Sequence, residues 1–306
     1  MKNNIMYYYN LYLENIYQNN EYFYFVIGNE RYELVVYTRD FKEQQAIYEL
    51  NKKMINANIP VHEIILNKHN NIITTINNVP YLLYKVYINK EKKISLLELT
   101  HLSNYSFEFN DILKRDNWDT LWANKIDYLE YQINQTGKKH PLLVDSFSYF
   151  VGLAENAISY AKNTTLEIQK ESLDKETISH RKILKDDTIY NIYNPLNIVI
   201  DHKSRDLAEY IKISFFNNNK NIFNELNFYF KNNQYSYYGM RILLARILYP
   251  SFYFDTYEDI ILESKSESEI LNITSRIFEY EEYLRNIFLY LKNFYNLPEI
   301  DWLIKK

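Results

Sequence analysis

The chain has 306 residues, 47% of them hydrophobic, and a formal net charge of −4, which is material for about two domains or lobes and lacks the strongly positive field that collects nucleic acid or anionic lipid. It has no cysteine, which excludes a disulfide framework, a thiolate zinc site, an iron–sulfur cluster and a cysteine nucleophile. Only four glycines occur where average usage of about 7% would give roughly 21; Gly28, Gly137, Gly152 and Gly239 are too far apart to build a dinucleotide fingerprint, a Walker loop or a glycine-rich kinase loop.

Met1 to Gln18 mixes Asn, Tyr and Glu into its apolar residues, and no run of 18 uncharged apolar residues follows anywhere. The expectation is a protein made and kept in the cytosol, without a membrane span. From Tyr22 to Thr38 two β-rich runs flank a Gly28-Asn29 turn, the signal of a hairpin. Phe41 to Asn56 has a helical pattern with Pro60 just beyond its end. Val61–Leu66, Ile72–Ile76 and Tyr81–Ile88 read as three more strands, separated by turns at 68–71 and 77–80.

From residue 94 the dominant period is helical. Trp118, Leu121, Trp122, Ile126, Leu129 and Ile133 recur at i+3 and i+4 up to Gly137, and Pro141 opens another helix with a wide apolar face. A strand-like island, Thr188–Ile192 and Asn197–Ile200, interrupts the helices beside the densest group of ionisable residues. Ser204 and Asp206 start a further helix, and helical patterns continue through Arg241–Leu248 and Glu267–Tyr295. Asn217-Asn218-Asn219 reads as a loop tip. The 32 tyrosines and 17 phenylalanines are spread at packing periodicities, and Trp118 and Trp122 read as helix core, not as a stacking platform for bases.

A β-rich lobe over residues 1–90 and a helical lobe over 91–306 give an α+β, two-lobed layout that resembles the protein-kinase-like, aminoglycoside phosphotransferase-like fold, with the boundary near 88–94. In that fold a loop Asp accepts the hydroxyl proton, a loop Asn and a later Asp hold Mg²⁺, and a strand Lys pairs with the phosphates. The loop here is Ile178-Ser179-His180-Arg181-Lys182-Ile183, with Arg181 and Lys182 where aminoglycoside and choline kinase-type loops have Gly and Asp. A permanent cation cannot serve as general base at neutral pH. Asp187 falls where the loop Asn would, and the apolar run Asn197-Ile198-Val199-Ile200 leads to Asp201, the candidate metal ligand. The strand that should present the Lys reads Leu34-Val35-Val36-Tyr37-Thr38, with Arg39 the nearest cation. Arg39 with Glu43 or Glu49 either mimics the lysine–glutamate pair and binds the cofactor or is a surface charge at a strand end.

The most distinctive string is Asp201-His202-Lys203-Ser204-Arg205-Asp206-Leu207-Ala208-Glu209. With Ser179-His180-Arg181, Tyr193-Asn194-Pro195 and Leu248-Tyr249-Pro250-Ser251-Phe252, it resembles the YutH-type spore coat proteins, relatives of CotS. That resemblance implies a kinase-like fold lacking much of its catalytic set, protein partners among coat components, and a place in the endospore coat. On the residues themselves, Ser204 suits an N-cap, and Arg205 and Glu209 are spaced as an ion pair one turn apart. His202, Arg205, Asp206 and Glu209 then form a structural network locking this helix to the loop at His180. In the other reading, Asp201 and Asp187 hold a divalent cation, His180 orients the loop, Arg181 or Lys182 binds phosphate, and Asp206 belongs to an unconventional catalytic set.

His62, His69, His101 and His140 are isolated and read as surface or capping residues, and Glu267, Glu269, Glu279, Glu281 and Glu282 as a solvated helix face. The expected function is that of a catalytically impaired kinase-like component needing no cofactor. The alternatives are an ATP- and Mg²⁺-dependent phosphotransferase acting through Asp201, and a small-molecule binding module without nucleotide.

Overall fold

A computed structural model describes residues 1–306 except 20–21, 88–91, 106, 186–187 and 305–306. The chain divides into two compact units, Met1–Lys114 with Thr177–Asp201, and Arg115–Glu176 with His202–Lys306. Of the boundary expected at 88–94, residues 88–91 lie outside the described residues. The division falls instead after Lys114, and 177–201 group with the N-terminal residues, not with the helices on either side of them in sequence.

In the first unit, helix α1 (Lys2–Tyr9) precedes strands β1 (Tyr17–Gln18), β2 (Tyr22–Ile27) and β3 (Glu30–Val36), helix α2 (Gln44–Asn56), strands β4 (Glu63–Ile65), β5 (Thr74–Ile76) and β6 (Val79–Val86), and helix α3 (Leu96–Ser103). The sheet is antiparallel in the order β1-β2-β3-β6-β4, with β5 also on β6. Strand alternation sends Phe25, Tyr32, Leu34 and Leu83 to one face, where Ile5, Tyr9 and Leu13 cover them. The stacked rings of Phe25 and Tyr32 lie 5.3 Å apart across the β2–β3 register. The Met1–Gln18 segment thus supplies a helix that the sequence pattern did not announce. Its three buried side chains each contribute about 1.5–3 kcal/mol of apolar burial.

The same alternation turns Glu33 of β3 and Tyr84 of β6, which are cross-strand neighbours, to the opposite face. Helix α2 buries Ala46, Ile47, Leu50 and Met54 along one stripe. Its Asn51 donates to His62 O (2.7 Å) and accepts from Ile64 N (3.0 Å), fastening the helix to the start of β4. Later in the chain come strand β7 (Glu176–His180), helix α6 (Ile189–Ile192) and strand β8 (Ile198–His202); α4 (Trp118–Thr136) and α5 (Pro141–Glu167), between α3 and β7, belong to the second unit. Strands β7 and β8 pair as a two-stranded sheet. The run Thr188–Ile192, expected as a strand, is a one-turn helix, for reasons found in its contacts below.

The second unit comprises α4 (Trp118–Thr136), α5 (Pro141–Glu167), α7 (Ser204–Phe216), α8 (Ile222–Asn232), α9 (Tyr237–Leu248), α10 (Ser251–Ile261), α11 (Leu271–Thr274), α12 (Ile277–Lys292) and α13 (Asp301–Ile304). Pro141 opens α5, and Glu267 Oε1 accepts from Leu142 N (2.7 Å) and Leu143 N (3.2 Å). A carboxylate expected on a solvated face therefore satisfies two orphan donors of a distant helix start. Glu281 likewise accepts from the Tyr149 hydroxyl at 2.9 Å. Helix α5 lies against α4 and α9, and its Phe150 stacks on Tyr253 at 3.9 Å. The single helical pattern expected over Glu267–Tyr295 is divided into a 3₁₀ turn, α11 and α12.

The glycine scarcity has a structural counterpart. Among the described residues, Gly28 is the one glycine at positive φ, and asparagine takes the left-handed turn positions at Asn10, Asn58, Asn70, Asn77, Asn78, Asn117 and Asn218, with Glu263. Asparagine visits that region at lower cost than other side-chain-bearing residues because its short amide bonds to local backbone.

Candidate functional site

Strand β7 ends at His180, so the loop proper begins at Arg181. Asn197 clamps it: Arg181 N donates to Asn197 O (2.7 Å), Lys182 N to Asn197 Oδ1 (3.1 Å), and Asn197 Nδ2 to Lys182 O (2.9 Å). Arg181 is exposed and Lys182 half-buried. His180 is buried, and its Nε2 donates to Ile192 O at 2.9 Å; a carbonyl only accepts, so Nε2 carries a proton. Asp201 is buried at the end of β8, where its carbonyl accepts from Thr177 Oγ1 (3.4 Å). Asp187 lies outside the described residues, and so does its expected pairing with Asp201.

Arg39 and Glu43 do come together. Arg39 Nε donates to Glu43 Oε2 at 2.6 Å, and both are buried, which corrects the surface reading of Arg39. Arg39 Nη1 donates to the carbonyls of Ile198 and Leu196 (3.4 Å to Leu196), so the guanidinium ties the end of β3 to the start of β8. Asp40 caps the turn before α2 by accepting from Lys42 N (2.9 Å), which sets Glu43 one turn from Arg39. Glu49 instead accepts from Gln45 (2.9 Å) on the exposed face.

The row of β3 opposite the α1-covered core, its inner row, reads Arg31, Glu33 and Val35. Glu33 is buried. It accepts from Arg31 Nε (2.7 Å) and from the Tyr190 hydroxyl of α6. Burial, and then the Glu33 charge, push the Tyr190 hydroxyl far above its ordinary range, so it is a donor at any physiological pH. Tyr84, beside Glu33, donates to Asn194 Oδ1 (2.6 Å), and burial raises its hydroxyl as well. Of the surface and capping alternatives for His62, burial rules out the first, since the residue is fully buried. Its ring lies 4.5 Å from that of Tyr190, and its Nε2 donates to Tyr190 O (3.0 Å).

In the second unit the Asp-His-x-Ser-Arg-Asp string has its own partners. His202 Nδ1 accepts from Ser204 N (3.1 Å), so the proton resides on Nε2, which donates to Asp174 Oδ1 (3.2 Å). Asp174 Oδ1 also accepts from Ser236 Oγ (2.5 Å), and its Oδ2 from Glu171 N (2.7 Å). Burial alone would raise the Asp174 carboxyl, but these donors together hold it below the usual carboxylate range. Ser236 Oγ caps α9 through Gly239 N (2.7 Å), and a Cβ on Gly239 would lie 2.8 Å from Asp174 Oδ1, so glycine is needed there for close approach. Ser204 is the first residue of α7 and is not its cap. Its hydroxyl engages His202 Nδ1 at 2.8 Å in a fully buried position.

Glu209 does not pair with Arg205. Its two oxygens take Lys212 Nζ (2.8 Å) and Ser251 Oγ (2.9 Å), while Lys212 also donates to Ser251 Oγ (2.7 Å) and to the carbonyls of Arg246 and Tyr249 (both 3.1 Å) at the end of α9. Burial pushes the Lys212 ammonium below its ordinary range against the opposing pull of Glu209. Arg205 and Arg246 flank the Trp118 ring at 4.6 and 4.5 Å. Asp206 is buried in the first turn of α7. Within the first unit His180 bonds to Ile192 O, and within the second His202 and Glu209 bond to Asp174 and to Lys212 and Ser251. Asp174 and Ser236 were not singled out in the sequence. The pairing of Ser251 with Glu209 joins two of the strings that carry the family resemblance.

Among the described residues no group of three His, Asp or Glu side chains converges where a metal ion could sit. The sheet face opposite the α1-covered core carries the buried Glu33 carboxylate with the rings of Tyr84, His62 and Tyr190 around it.

Comparison with known proteins accounts for this mixture of a kinase layout and other contents. The aminoglycoside phosphotransferase of Alicyclobacillus acidocaldarius is similar at a TM-score of 0.65 over 94% of each chain, with 10% identity. A spectinomycin phosphotransferase solved with ADP and spectinomycin is similar at 0.56, over 94% of this chain and 93% of that one, with 12% identity. At such identities the likeness establishes the fold: an aminoglycoside phosphotransferase-like, protein-kinase-like α+β architecture. In sequence, the endospore coat-associated protein YutH of Bacillus subtilis (strain 168) is 30% identical over 231 residues, which span 66% of this chain and 65% of that relative. The family described as "Spore coat putative kinase YutH" matches residues 2–293, and the chain belongs to that family.

Proposed function

We propose that this chain is a kinase-fold component of the endospore coat that works by holding other coat proteins and does not transfer phosphate. The observation that carries the reading is the loop after β7. Arg181 and Lys182 stand where the fold has its proton acceptor, and Asn197 fixes the backbone of both. A cation there neither accepts the hydroxyl proton nor binds Mg²⁺. The coat-associated relative supports the location. Among the described residues no helix is long and apolar enough to cross a membrane.

A second reading, a phosphotransferase with Asp201 as Mg²⁺ ligand, is favoured by one observation. The buried Arg39–Glu43 pair reproduces the strand-to-helix ion pair that active kinases require. The two readings separate in a sporulating host lacking its own YutH-type protein. The first expects a tagged chain to fractionate with the coat, and an Asp201→Asn variant to do so equally. Loss of coat association in a folded Asp201→Asn variant, or phosphate transfer from ATP by the purified chain, favours the second.

A further inference from the structure

A one-turn helix such as α6 is marginal by itself, because its carbonyls lack intrahelical partners. Here every exposed end is taken. Tyr190 O accepts from His62 Nε2 (3.0 Å), Asn191 O from Asn197 Nδ2 (3.2 Å), Ile192 O from His180 Nε2 (2.9 Å) and Tyr193 O from His62 N (3.0 Å). Upstream, Thr188 bridges to Lys93 and Ile189 N donates to Lys92 O (2.9 Å). The two histidines act here as backbone clamps, and what they clamp is the turn carrying Tyr190. Its ring lies against His62 and its hydroxyl is bonded to Glu33, on the inner row of β3.

We propose that the turn Ile189–Ile192 is a built-in occupant of the N-terminal sheet, with Tyr190 standing on its inner face in the place of a nucleotide base and closing that face to purine ligands. A flexible lid would leave its backbone to water. This turn is sewn down by donors from three separate segments of the unit, so it is a fixed plug. Opening it strips four carbonyls of their partners and leaves a buried Glu33 without the Tyr190 hydroxyl. The inference rests on the reading above only in asking why a kinase fold takes no nucleotide.

The test is a thermal-shift series on the full chain with adenosine, ATP·Mg²⁺ and p-cresol, comparing wild type, Tyr190→Phe and Tyr190→Ala. The plug predicts no response of wild type or Tyr190→Phe to adenosine or ATP. Tyr190→Ala is expected to melt several degrees lower and to be raised again by p-cresol or adenosine entering the vacated space. Hydrogen exchange on wild type gives a readout independent of whether Tyr190→Ala folds: the amides of Asn191 and Tyr193 should exchange as slowly as those of β3. Adenosine binding by wild type, rapid exchange at Asn191 and Tyr193, or a folded Tyr190→Ala that melts like wild type and ignores both small probes overturns the proposal. Adenosine binding without phosphate transfer overturns the plug alone; phosphate transfer overturns both readings.

Discussion

The polar cluster around α6 and the one around Asp174 are made from the same materials, histidines with fixed tautomers, a buried carboxylate and donors from distant segments. They differ in what they enclose. Around α6, His62 and His180 hold backbone carbonyls, and Tyr190 stands against the sheet face that carries Glu33. Around Asp174, His202, Ser204 and Ser236 hold the starts of α7 and α9, with Gly239 pressed against the carboxylate and no space between them. Within the distinctive Asp-His-x-Ser-Arg-Asp string, His202 and Ser204 therefore position the starts of helices. The proposed departure from kinase chemistry rests on the first cluster and the adjoining loop.

Substitutions can break or sharpen this contrast. The largest effect is expected from Glu43→Ala, which leaves the Arg39 guanidinium buried without its carboxylate. Urea unfolding should report a loss of about 3–5 kcal/mol, largely recovered in the double replacement Arg39→Met with Glu43→Leu. Gly239→Ala forces a methyl group toward Asp174 Oδ1, and about 1–3 kcal/mol is expected to be lost from the second unit. Gly152→Ala is the contrasting control, since nothing lies within 4 Å of the added carbon inside α5; it should stabilise by roughly 0.5–1 kcal/mol.

The smallest effect is a pH slope. A carboxyl held below its unfolded value of about 3.9 contributes stability that is fully present above that value and lost as pH falls through the folded one. Asp174→Asn should flatten the fall of the urea midpoint below about pH 4 and leave it unchanged in slope between pH 5 and 8. An unchanged acid limb would show that Asp174 is not held as described.

Local chemistry made much of this fold legible in the sequence. The Gly28-Asn29 hairpin, the helix opened by Pro141 and the apolar run into Asp201 are each set by neighbouring residues. So was the Arg39–Glu43 pairing, an i,i+4 relation, though not its burial, which depends on carbonyls some 160 positions away. Thr188–Ile192 failed because a β-branched run reads as a strand, whereas His62, His180 and Asn197 supply the partners that make a helix turn viable. The α1 helix failed for a related reason: Ile5, Tyr9 and Leu13 have the right spacing, but only the sheet beneath them gives it meaning. Asp174, Ser236 and Gly239 left no local signal, because their contact joins segments 62 residues apart.

The most direct test of the central claim is calorimetric titration of ATP with Mg²⁺ into the wild-type chain and into Asp201→Ala. A kinase fold whose loop carries Arg181 and Lys182 and whose sheet face is filled by Tyr190 should give no heat of binding in either protein. Submillimolar, metal-dependent binding to wild type that disappears in Asp201→Ala would contradict it.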